Sequence, residues 1–444
     1  MPTGVPISYW HDSLAVGDDL QPRAPLPGDA DVDVAIVGAG FTGLWTAYYL
    51  RRADPHLRVV VLEREFAGFG ASGRNGGWCV GDQAAPLPAL EKSASRSAAV
   101  AMVEAMHRTV DEVGEVVARE QIDCGFAKGG AIYLASSRAQ LGRLRHHQRT
   151  YDRYGFGDDY RLLAPRETTA IVNAAGVHGS LFTPHAAAVH PARLACGLAV
   201  AVERLGGVVH EQTAVRVVEP GRVRTDRGTV RASIVVRATE AYTASLEGQE
   251  RAVLPLGNFM IATEPIADDV WSEIGLANRE VFEDSPRMLA YGQRTADGRI
   301  AWGGLGAPYW WQSRVPPSPM ADRANANRLR ALLIARFPML ADVAVTHHWG
   351  GVLGVARDGR PSVGLDRRSG LAWAGGYFGS GVAAANTAGR TLADLVTETD
   401  SELVRLPWVD HRSRPWEVEP LRWLGHRAVT SLVRIADRID AIRS

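Results

Sequence analysis

The sequence predicts an α/β fold built around a buried parallel sheet. Residues 32–37 form a short apolar, β-branched run, followed at once by Gly38-x-Gly40-x-x-Gly43. A segment of helical character covers residues 41–52, and a second apolar run, Val59–Leu62, ends at Glu63. Apolar runs of this kind, separated by a helix, suit parallel strands covered on both faces. With 444 residues at 46 % hydrophobic, the chain can form two sizeable domains or one large interleaved body.

Each part of this first unit has a physical task. Gly38 makes the tight turn, Gly40 lets a pyrophosphate lie against the backbone, and Gly43 lets helix and strand pack closely. Phe41 and Thr42 open the helix, where free amides and the dipole favour an anion. Glu63 follows Gly43 by twenty residues, the spacing at which an acid accepts ribose hydroxyls and argues against a 2′-phosphate, hence against NADP. Arg64 lies beside it. A lone glycine pattern carries little weight; the strand before, the helix after and the acid at this distance make it a dinucleotide site. FAD and NAD both fit at this point.

The next stretch, residues 70–78 (GASGRNGGW), separates them. An NAD-only fold proceeds to a helix here; this chain has a glycine-rich loop within reach of the same pyrophosphate. Gly70 and Ala71 offer backbone, Ser72 a hydroxyl, Arg74 a charged fork and Asn75 an amide. The amides of Gly76 and Gly77 are expected to reach the far half of a long dinucleotide.

With both segments in view, the chain resembles the D-amino-acid oxidase superfamily of FAD enzymes. The nearest branch is that of glycine and sarcosine oxidases and γ-glutamylputrescine oxidoreductase-like proteins, which the Ser8-Tyr9-Trp10 run also resembles. Three later segments extend the likeness over roughly residues 30–395. Residues 190–218 read as helix, Gly-Gly turn and strand; the resemblance implies backbone contacts to adenine near Val215. Residues 234–243 match a strand and turn, with Glu240 where the family has Asn, and with Arg237 implying an edge strand. Residues 359–364 and 373–395 match the segment that closes over the flavin, where Gly379-Ser380-Gly381-Val382 opens a helix facing the ring.

The resemblance implies a discontinuous Rossmann-like FAD-binding domain (31–90, 185–250 and 345–400). Interleaved with it is an α+β substrate domain on a mostly antiparallel sheet (91–184 and 251–344). An N-terminal arm (1–30) and a C-terminal tail (401–444) complete the chain. Helical stretches at 93–119 and 138–154 flank a strand at 130–135, and strands at 288–291 and 299–303 form a hairpin.

The activity implied is FAD-dependent oxidation of a C–N bond in an amine or amino acid, by hydride transfer to flavin N5 and hydrolysis of the resulting imine. Two alternatives stay open. One is oxidation of a bulky biosynthetic intermediate, which the aromatic run Tyr309-Trp310-Trp311 would suit; the other is a flavin-holding subunit without turnover. His348, Trp349 and Tyr291 are the candidate catalytic residues, with Tyr377, Phe378 and Trp78 as further pocket walls. Non-covalent FAD is expected, with Cys79, His347 and His348 as the residues to watch for a covalent link. No lysine follows Lys128, so the lysine that assists oxygen in sarcosine-oxidase-type relatives is absent from the second half of the chain. The choice between oxidase and dehydrogenase stays open.

Zero formal net charge carries no footprint of nucleic-acid binding. No run approaches the roughly 18 apolar residues of a membrane span. Three cysteines at unrelated spacings and no signal peptide point to a cytoplasmic protein. In the tail, Leu421, Leu424, Ala428, Leu432, Ile435 and Ile439 recur at helical spacing, an amphipathic helix expected to dock on the protein's own body or, next, on a second copy. A monomer or homodimer is expected.

Overall fold

The computed structural model describes residues 7–14, 22–82, 85–285, 290–304, 306–316 and 322–442. The β-branched run of the first unit forms the strand Ala30–Val37, central in a sheet of eight strands. From one edge the order is Ser362–Asp366, Leu371–Gly375, Thr229–Arg237, Ala30–Val37, Val59–Leu62 and Val208–His210. All these pairings are parallel except the first. Alternation along Ala30–Val37 sends Val34 and Ile36 towards one core, with Leu44 and Leu198 from the helices Phe41–Ala53 and Pro191–Arg204. Ala35 and Val37 face a second core that includes Val223, from Arg222–Thr225.

Thr229–Arg237 lies inside this sheet, so the edge position expected from Arg237 is not found. Arg237 is the strand's last residue, and its guanidinium leaves the sheet to donate to Gln249 Oε1 at 2.7 Å. Burial there lowers the guanidinium to about 10.

A second eight-stranded sheet runs in the order Val345–Val355, Leu254–Thr263, Ile300–Gly304, Ala290–Arg294, Val281–Asp284, Ala131–Ala135, Gly179–Thr183 and Arg161–Leu163. Only Val281–Asp284 with Ala131–Ala135 is parallel. The strand Val345–Val355 pairs along the whole of Leu254–Thr263, so this segment belongs to the antiparallel sheet and not with the pieces the sequence grouped at 345–400. Ala290–Arg294 and Ile300–Gly304 form the expected hairpin; Met288, placed in it from sequence, lies outside the described residues.

Period-two alternation gives this sheet two unlike faces. One carries Ile261, Trp302, Phe282 and Ile132 in a single cross-strand row against a core with Leu329 and Leu333 of the helix Arg323–Arg336. The other carries the row Trp349, Met260, Gly303, Tyr291, Glu283 and Tyr133. That row faces the first sheet's glycine loops.

The tail helix, Leu421–Ile442, attaches by the face opposite to the one expected. Leu421, Leu424, Leu432 and Ile435 are exposed, 52 to 66 %, while Arg422 is buried and Trp423 meets Trp311 at 6.1 Å. The side chain of Ile439 is not among those described. Tyr309, beside the helix, donates to Glu419 Oε1. Tyr309 and Trp311 of the aromatic run therefore serve this junction.

Candidate active site

A cavity of about 800 Å³ opens between the glycine loops and the second sheet. Gly38, Gly40, Phe41, Thr42, Glu63 and Arg64 line it. Gly38 has φ +105, and a Cβ on it would meet the Ala238 carbonyl oxygen at 2.7 Å. A Cβ on Gly43 would lie 1.9 Å from the Gly38 carbonyl oxygen, so glycine alone permits this helix–turn approach. Glu63 accepts the Ala39 N–H at 2.8 Å and the Glu65 N–H at 3.0 Å, and burial pushes its carboxyl up. Ser72 Oγ accepts the Phe41 N–H at 2.8 Å, which leaves the Ser72 proton free for a phosphate oxygen. The residues present fit FAD.

The loop at 70–78 is held more tightly from within than sequence suggested. Asn75 folds it: Nδ2 donates to the carbonyls of Ala71 and Ser72, both at 3.0 Å, and Oδ1 accepts the Gly77 N–H at 2.7 Å. That bond corrects the expected role of Gly77, whose amide is spent inside the loop and which does not line the cavity; Gly76 does. Arg74 is buried and also braces backbone, donating to Phe69 O at 2.8 Å and Gly350 O at 3.3 Å. Behind the loop sits the short helix Tyr9–Asp12. Trp10 donates its indole N–H to Asn75 O at 2.7 Å, and Ser8 its hydroxyl to Gly73 O at 2.9 Å. These long-range supports carry no local signal beyond the Ser8-Tyr9-Trp10 run itself.

On the closing side, Tyr377, Phe378, Gly379, Ser380, Gly381 and Val382 line the cavity, at the N-terminus of the helix Gly381–Val396. Glu240, the residue standing where the family has Asn, accepts the amides of Gly354 and, at 3.2 Å, Gly376. Burial pushes its carboxyl up to about 7. Val215 lines the cavity, two residues past Thr213, whose N–H donates to Glu63 O at 2.8 Å.

The candidate catalytic residues separate. Tyr291 lines the cavity: its ring stands edge-on to Trp78 at 5.7 Å, and its hydroxyl accepts from Asn258 Nδ2 at 2.5 Å. Trp349 is buried and donates its indole N–H to Arg74 O at 2.9 Å, so it supports the loop and is not a cavity wall. His348 is exposed and pairs with Ile261, in the row of the helix-covered face. The parity of one strand puts it on the opposite side from Trp349, away from the cavity. Cys79 is fully buried beside the cavity-lining Trp78 and does not itself line it. Sequence reasoning missed Asp82, Tyr133, Asn258, Met260 and Glu283, all of which line the cavity.

The model of the family described as FAD-dependent oxidoreductase matches residues 33–395. The chain belongs to this family. It is 32 % identical over 396 residues to the γ-glutamylputrescine oxidoreductase of Escherichia coli strain K12, covering 88 % of each chain. Among solved structures, glycine oxidase from Geobacillus kaustophilus superposes with a TM-score of 0.72 at 21 % identity, over 86 % of this chain and 99 % of that one. L-proline dehydrogenase from P. horikoshii gives 0.70 at 20 %, over 85 % and 96 %. The protein is thus an FAD-dependent oxidoreductase with the fold of those two solved structures. No helix among the described residues is long and apolar enough to cross a membrane.

Proposed function

We propose that this flavoenzyme oxidises a carbon–nitrogen bond of an amine or amino acid. The carrying observation is the continuity of one cavity from the dinucleotide loops to an aromatic recess walled by Trp78, Tyr133 and Tyr291. FAD, when bound, supplies the hydride acceptor. The chain holds it through Gly38, Gly40, Phe41, Thr42, Gly70, Ala71 and Ser72, with Glu63 for ribose hydroxyls and Arg64 and Val215 beside them. Gly43 and Gly77 act from behind, through packing and loop closure. The N-terminus at Gly381 favours negative charge near it.

The phenol and indole rings keep water from the reacting carbon, and Tyr291 positions substrate through its hydroxyl. The substrate reacts as its neutral amine, and the product imine hydrolyses in water. A non-covalent cofactor is supported by Cys79, His347 and His348 all lying off the cavity. The buried free thiols of Cys79 and Cys124 support a reducing, cytoplasmic setting. The amine reading is favoured over a bulky intermediate because Tyr309 and Trp311 contact the tail segment and do not line the cavity.

The test is anaerobic mixing of the holoenzyme with amines and with D- and L-amino acids, following loss of the flavin band at about 450 nm. Bleaching by an amine or amino acid supports the reading. A flavin that none of them bleaches overturns it.

A further inference from the structure

The cavity carries two carboxylates that a dinucleotide does not account for, Asp82 and Glu283. Asp82 lies two residues past the strand Trp78–Val80. Three phenols point their protons at it: Tyr133 to Oδ2 at 2.8 Å, Tyr151 and Tyr160 to Oδ1 at 3.3 and 3.4 Å. The carboxylate is therefore fixed as an acceptor. Glu283 stands between Tyr291 and Tyr133 in one cross-strand row. Its one hydrogen-bond partner among the described residues is Ser285, whose hydroxyl is 3.2 Å from Oε1.

The basic side chains that line the cavity lie elsewhere. Arg64 and Arg216 adjoin Glu63 and Val215, Arg74 is engaged by Phe69 and Gly350, and His426 comes from the tail helix. Among the described residues none on the Met260–Tyr133 row is basic, so these residues offer no cation to pair with a substrate carboxylate. The recess offers instead the Asp82 carboxylate, the Glu283 carboxyl and three aromatic rings, Trp78, Tyr133 and Tyr291, the surroundings that stabilise an ammonium group by charge-assisted hydrogen bonds and cation–π attraction. Burial, with the charge of Asp82 added, pushes the Glu283 carboxyl up to about 8; a cation between the two groups would relieve that.

We propose that Asp82 and Glu283 form a seat for a second ammonium group, so that the substrate is a diamine or polyamine-type chain, with one nitrogen oxidised and another held in this recess. The proposal rests on the amine-oxidation reading and narrows it.

The test uses holoenzyme and calorimetric binding of hexamethylenediamine, hexylamine and aminocaproate, with anaerobic flavin bleaching measured alongside. The diamine should bind more tightly than the other two. Asp82→Asn and Glu283→Gln should each weaken diamine binding roughly ten- to hundredfold and leave hexylamine within a few-fold. Equal affinity for all three ligands overturns the seat, as does an equal loss of diamine and hexylamine binding in both variants, which would put the reacting amine itself there. Diamine-selective binding that the variants abolish, with no bleaching by any amine, would uphold the seat and overturn the oxidation reading.

Discussion

The hydroxyl of Tyr377 and Oγ1 of Thr42 lie 3.0 Å apart, both buried. Residues 335 positions apart in sequence thus fasten the closing segment to the first turn of the helix behind the glycine loop. Removing the hydroxyl in Tyr377→Phe should cost about 1 kcal/mol of this linkage, close to a fivefold weaker hold on FAD. Flavin fluorescence on dilution of the holoenzyme measures it.

Gly43 and Gly40 should respond differently to an added methyl group. In Gly43→Ala the Cβ would lie 1.9 Å from a backbone carbonyl, so the helix must shift and the cradle with it. In Gly40→Ala it would meet the Ser72 hydroxyl at 3.0 Å, a group that can rotate. The ratio of flavin to protein absorbance after desalting should fall severely in the first and moderately in the second.

Trp10 is 1 % exposed and holds the loop from behind. Trp10→Ala should lose about 3–5 kcal/mol of stability by cavity formation and loss of the bond to Asn75 O. Trp10→Phe should lose less. Urea titration gives both values, and FAD retention should fall in the same order.

Glu283 makes a pH-dependent contribution whose sign follows from its raised value. The ordinary carboxyl value is 4.5 and the folded value is about 8. Stability from the protonated form is therefore complete below 4.5 and is lost as pH rises through about 8. Glu283→Gln should match the wild-type Tm in acid and exceed it above pH 8. Thermal scans of both proteins across that window, without amine, check the crossover.

Much of the dinucleotide cradle was legible because its signals are local. Gly38, Gly40, Gly43 and Glu63 sit within one strand–turn–helix–strand unit, whose spacing already implies the geometry. The loop at 70–78 was recognisable as a backbone surface, but the inward use of Asn75, Arg74 and Gly77 depends on partners such as Gly350 and Trp10, far along the chain. The recess was the least legible part. Tyr133, Glu283, Tyr291 and Met260 meet through the register of five strands, which no local pattern sets. Parity did hold a usable signal: alternation along residues 345–355 separates His348 from Trp349, and Glu283 falls on the face opposite its apolar neighbour Phe282. The tail helix misled for a different reason. Its apolar stripe is real, yet Arg422 and Trp423 find partners on the body while Leu424 and Leu432 face outward.

The most direct test of the account is the reductive half-reaction itself. Holoenzyme mixed anaerobically with a panel of amines and amino acids should lose its flavin band in a substrate-dependent, saturable way. Tyr291→Phe should slow that loss while retaining FAD. A flavin that stays oxidised with every member of the panel, yet is reduced by light or dithionite, would contradict the assignment of this cavity to carbon–nitrogen oxidation.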